Sequence, residues 1–166
     1  MEKALNSFLY CIYLMDVKLH YLSNYINPAW LLLYVPFIKK KWERKNQDPV
    51  KELNKLFTDK VHGFSIWTAQ GIVGIVISSI LISSIIVTSR VFDFNFYGNI
   101  SRVYFFGCAG IAIVVCYSYS WKNDKYLDYF EQFKKWSKSQ KRKYIIISFL
   151  VVLASIGYFL MSFMCC

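Results

Sequence analysis

Acidic side chains are scarce in this chain, and where they are missing matters more than how few there are. Asp and Glu number 10 among 166 residues, and charged residues of both signs make up 18%. A soluble domain carries about 25%. Residues 64–87, 103–121 and 144–164 hold no Asp, Glu, Lys, Arg or His. Low charge at 56% hydrophobic content excludes a disordered chain, a disulfide-stapled secreted domain and an ordinary soluble enzyme. The five cysteines contain no CxxC pair, and the chain has 2 histidines. No phosphate-binding loop, dinucleotide fingerprint or internal repeat is present. Chemistry inside a membrane relies on carboxylates, histidines or metal clusters within or beside the spans. No cofactor, no metal and no catalytic residue is therefore expected.

What the chain does have is apolar length. A bilayer core of about 30 Å is crossed by roughly 20 residues of helix. A charge at the centre of such a helix costs about 2.5–3.5 kcal/mol, and none of the three runs bears one. The sequence reads as an all-α, polytopic integral membrane helical bundle forming one membrane domain, with spans at 64–87, 103–121 and 144–164. The N-terminal third is more mixed. Residues 5–15 are too short to cross, and no signal peptide is apparent. Residues 19–38 carry no Lys, Arg, Asp or Glu, but contain Asn24, Asn27, Pro28 and Pro36. A kinked fourth span is the preferred expectation there. An amphipathic helix followed by a re-entrant or interfacial hairpin is the alternative.

The net charge of +10 is unevenly placed. Residues 39–62 hold eight bases against Glu43, Asp48, Glu52 and Asp59, and residues 122–143 hold eight against Asp124, Asp128 and Glu131. The segment 88–102 has only Arg90 and Arg102, with Asp93 between them. Basic loops remain cytoplasmic, so 39–62 and 122–143 are expected inside and 88–102 outside. The C-terminus then lies outside, and the N-terminus is outside only if 19–38 crosses. The expected residence is a bacterial inner membrane. Charge that flanks spans in this way is a topology signal, so anionic lipid headgroups are expected as partners and nucleic acid is not.

Two sets of residues stand out for interaction. Small side chains allow close helix approach in lipid, and each span carries some: Gly71, Gly74 and Ser78; Cys108, Ala112 and Cys116 at steps of four; Ser148, Ser155 and Ser162 at steps of seven. They suggest packing within the protomer, or else an oligomeric seam or a narrow pore. The second set is basic and aromatic: Lys39, Lys40 and Lys41 in one loop, and Tyr126, Phe130, Phe133, Trp136, Lys141, Arg142 and Lys143 in the other. Aromatic bodies beside lysines suit the headgroup layer or a partner face. A cytoplasmic cap, made by this segment packing on a helix that starts at Asp48-Pro49, explains them equally well. In that first loop Val50, Leu53, Phe57 and Val61 recur at helical spacing.

Three functions follow as expectations. The leading one is a non-enzymatic membrane subunit or accessory protein acting through helix packing and a basic cytoplasmic face, as a homo-oligomer or with another membrane protein. A pore-forming or membrane-perturbing effector, toxin-like or of phage-defence type, comes second. A membrane enzyme built on Asp16, His20 and His62 comes third.

Overall fold

The computed structural model describes residues 1–26, 35–44, 48–92 and 99–164. Among them every regular element is helical: α1 Glu2–Ile26, α2 Pro36–Glu43, α3 Pro49–Thr58, α4 Phe64–Val91, α5 Asn99–Cys116, α6 Lys125–Lys134 and α7 Lys138–Met164. A π-helical turn (Tyr117–Trp121) and a 3-10 turn (Lys122–Asp124) join α5 to α6. Three stretches are long and apolar enough to cross a membrane: α4, the run from Arg102 through α6, and α7. At about 1.5 Å per residue, the 28 residues of α4 exceed the thickness of a hydrocarbon core.

The structure does not support a fourth span at 19–38. Residues 19–26 complete α1, 27–34 lie outside the described residues, and Pro36 opens a separate short helix. Proline has no amide to donate, so it is tolerated in the first turn of α2 where it would end a continuing helix. The basic-aromatic segment 122–143 is shared between two helices. α6 ends at Lys134, and a reciprocal cap restarts the chain: Gln140 N–H donates to Ser137 Oγ (3.2 Å) while Ser137 N–H donates to Gln140 Oε1 (3.0 Å). This capping box satisfies two amides that the first turn of α7 would otherwise leave open. Lys141 Nζ donates to the Lys134 carbonyl at 2.8 Å, closing the other side of the turn.

The chain forms two compact units, Met1–Ile12 with Gln70–Cys166, and Tyr13–Ala69. In the first, Ile82 and Ile86 of α4 meet Cys108 of α5, with Leu81, Ile85 and Phe159 packed around them. Asn6 of α1 is fully buried and its amide donates to the carbonyls of Glu2 and Tyr119, both at 3.0 Å. A π-turn bonds i to i+5 and disturbs the regular ladder, and Asn6 reaches a carbonyl within it. Just beyond, Asn123 and Asp124 take left-handed conformations (φ 59° and 51°), which Asn and Asp tolerate better than other side chains. There the chain turns from α5 into α6.

In the second unit Tyr13 Oη donates to the Thr58 carbonyl (2.7 Å), a last-turn acceptor of α3 that has no partner within its own helix. α3 opens at Pro49 behind Asp48 but stops at Thr58, short of Val61. Asp59 accounts for the stop: its Oδ1 accepts the Val61 amide at 2.8 Å and draws the chain into a turn. Gly63 follows, donating to the Asp59 carbonyl (3.1 Å). A Cβ at Gly63 would lie 2.1 Å from that oxygen, so no larger residue fits this turn.

Candidate functional site

The ridge on α5 faces inward. Cys108, Ala112 and Cys116 are buried, and Ser120 in the π-turn extends the row. Steps of four overshoot a 3.6-residue turn, so the row would drift around a regular helix. The wider π-turn counters that drift and keeps Ser120 interior. On α7, Ser148, Ser155 and Ser162 are buried, alternating with partly buried Ile145, Val152 and Phe159. The 3-4 alternation makes one narrow seam along the helix. The Ser148 side chain lies near the Cys11 thiol of α1.

The third group behaves differently. Gly71 is exposed, Gly74 and Ser78 are partly buried, and a Cβ built on either glycine would meet nothing within 4 Å. Gly107, Gly110 and Gly157 are equally open. Small size alone does not bring a neighbour close.

Hydroxyls in the apolar helices bond back to their own backbone. Ser79, Ser83, Ser84, Thr88 and Ser89 on α4 donate to carbonyls three or four residues earlier at 2.7–2.9 Å. Ser155 and Ser162 do the same on α7 at 2.8 and 2.7 Å. A hydroxyl satisfied in this way needs neither water nor a partner helix.

The basic-aromatic set divides in two. Tyr126, Phe130 and Phe133 are interior, 0–3% exposed; Phe130 and Phe133 pack with Tyr10 of α1, which the sequence did not single out, and Tyr126 packs on Phe130. Ring centroids of Tyr10 lie 4.9 Å from Phe130, 5.7 Å from Phe133 and 6.1 Å from Trp136. Trp136 carries the stack on to Tyr144, at 4.5 Å. Burial pushes the Tyr10 phenol above its ordinary pKa, with Cys11 and Glu131 adding to the effect. Tyr126, Phe130 and Phe133 thus lie in the interior, with Trp136 partly buried at its edge. Of the bases, Arg142, Lys143 and Lys40 are exposed, Lys141 is partly buried, and Lys39 and Lys41 lie on α2. A Glu2–Lys125 ion pair at 3.4 Å joins the start of α1 to the start of α6.

Of Asp16, His20 and His62, the residues named for an enzyme, Asp16 is partly buried on α1 and His20 has close structural neighbours. His20 Nε2 lies 3.1 Å from Asn54 Oδ1, and its ring stacks on Phe57 at 3.8 Å and 9°. His62 is exposed beside the Asp59 turn. Among the described residues no three His, Cys, Asp or Glu side chains are grouped to hold a metal. Sequence reasoning also missed Asn6 and the Ser137–Gln140 cap. The S-x-x-Q spacing ahead of an apolar run was the available signal for the cap, whereas Asn6 finds its carbonyl 113 residues away and leaves no local signature. Compared with known proteins, the chain matches no protein-family model, no curated protein and no solved structure.

Proposed function

We propose that this chain is a non-enzymatic integral membrane subunit or accessory protein, which packs its apolar helices against a second copy or another membrane protein. The observation that carries the reading is the excess of uncovered apolar helix. The most apolar windows of the three long stretches are only 28%, 22% and 17% buried, too little for a lone protomer in water. On those same surfaces Gly71, Gly107 and Gly110 leave open notches where a partner backbone can approach. Arg142 and Lys143, exposed at the entry to α7, supply a basic face for anionic headgroups.

We read three spans rather than four. The bonds from Asn6 to the Tyr119 carbonyl and from Glu2 to Lys125 favour an N-terminus on the same side as the basic segment after α5. By the positive-inside rule that side is cytoplasmic, and the C-terminus is then outside. A pore is less well supported, because Ser155 and Ser162, two of the hydroxyls that would line it, are already bonded to their own helix. The test is light scattering of the full chain in mild detergent, together with cross-linking in native membranes. An oligomer or a stable hetero-complex is expected, weakened by Gly110→Leu. A strict monomer with no cross-linked partner in the membrane overturns the proposal.

A further inference from the structure

Where the later turns of α4, the first turns of α5 and the end of α7 converge, the protein encloses an open apolar cavity of about 240 Å³. Ile82, Ile85 and Ile86 form one wall, Phe105 and Cys108 another, and Arg102 is the one permanently charged group in the lining. Arg102 stands six positions before Cys108 on the same helix, roughly 9 Å along the axis. The cavity thus has a hydrocarbon floor and a cationic mouth, and among the described residues no carboxylate lines it.

A hollow on an apolar helix surface inside a bilayer is filled by what surrounds it, namely acyl chains. Guanidinium remains charged at every accessible pH and matches a phosphate oxygen pair in geometry. We infer that the cavity is a binding site for one anionic glycerophospholipid of the phosphatidylglycerol type, its acyl chain against the isoleucines and its phosphodiester on Arg102. The inference rests on membrane residence of the chain but not on its being a subunit, since a monomer has the same cavity.

The test uses the full chain in nanodiscs of equal phosphatidylcholine and phosphatidylglycerol, released for native mass spectrometry. One phosphatidylglycerol per chain is expected to be retained in preference to phosphatidylcholine. Arg102 is exposed, so Arg102→Gln keeps the helical circular dichroism, and it should lower that preference about fivefold. Ile85→Trp should reduce retention of both lipids by filling the hollow. Replacing Lys141, Arg142 and Lys143 together by Gln should leave the ratio unchanged. If Arg102→Gln keeps the preference, if the triple replacement abolishes it, or if a free fatty acid is the retained species, the assignment fails. Should Ile85→Trp not fold, the Arg102→Gln ratio alone decides.

Discussion

The α1–α6 junction and α7 are neighbours in one unit, yet they follow opposite rules for what goes inside. At the junction Phe130, Phe133, Tyr126 and Tyr10 are buried while Glu131, Gln132 and Lys134 are exposed. Along α7, Ser148, Ser155 and Ser162 are buried while Ile146, Leu150, Ile156 and Leu160 are exposed. The first pattern is that of a protein in water, where burial of apolar area drives packing. The second fits lipid, where apolar surface gains nothing by burial and close backbone approach decides the contact. The change occurs across residues 135–144, where the Ser137 cap, Lys141, Arg142 and Lys143 cluster. The two patterns of burial meet there, and on the membrane reading proposed above the two halves of the unit respond differently to the same kind of substitution.

The largest expected contrast is between Phe130→Ala and Leu150→Ala. Phe130 is fully buried, so its truncation leaves a cavity and should cost about 3–5 kcal/mol. Leu150 is 56% exposed and should change stability little in detergent. Thermal unfolding followed by aromatic circular dichroism reads both. Equal losses at the two positions would mean that α7 has a protein covering and not a lipid one. A smaller effect is expected at Ser155. Its hydroxyl bonds its own helix, so Ser155→Ala should be nearly neutral. Ser155→Leu overfills the seam and should cost about 1–3 kcal/mol. If the alanine variant proves as harmful as the leucine one, the hydroxyl serves a partner other than Val152.

The apolar helices were legible because each is a charge-free run of spanning length, and that needs no knowledge of neighbours. The faces of α5 and α7 were legible as periodicity: steps of four for Cys108, Ala112 and Cys116, steps of seven for the serines. Which small residues meet a neighbour was not. Gly71 and Ala112 look alike as sequence, but one is open and the other buried, and the difference lies in the helix opposite. The aromatic face of α6 is visible as a pattern, but the partner that covers it is not. Tyr10, the ring that makes Phe130 interior, lies over a hundred residues earlier, and no local spacing reports that contact. His20 enters the sequence reading together with Asp16 and His62, whereas its contacts with Asn54 and Phe57 lie 34 or more residues along the chain and leave no local spacing.

A prediction of intermediate size concerns the turn from α5 into α6. Asn123 is left-handed at φ 59°, a region that costs a branched side chain about 1–2 kcal/mol. Asn123→Val should destabilise the unit by that amount, whereas Asn123→Gly should be neutral or mildly stabilising. Loss of the Tyr10 aromatic signal at lower temperature in the valine variant would locate the damage at the α5–α6 turn. An unchanged unfolding midpoint would mean that the turn relaxes without disturbing the junction.

The smallest expected effect separates the Asp59 turn, which lies in the other unit, from the aromatic junction by pH. The Val61 amide donates to the Asp59 carboxylate, and that bond, aided by the His62 amide and the nearby His62 and Lys55 charges against a weaker opposing burial effect, holds its pKa below the usual carboxylate range. A carboxylate depressed in the folded state contributes stability above its unfolded pKa and loses it as pH falls through the folded value. The turn should therefore loosen only in acid, with faster exchange of the Val61 amide protons. Tyr10 runs the other way. Its raised phenol pKa means the junction keeps its stability below the ordinary tyrosine value and loses it as pH rises through the folded one. Amide exchange measured across both limbs should show Val61 responding in acid and the residues around Tyr10 in alkali. Asp59→Asn should abolish the first response and leave the second intact. A single transition shared by both sites would show that the two units do not titrate independently.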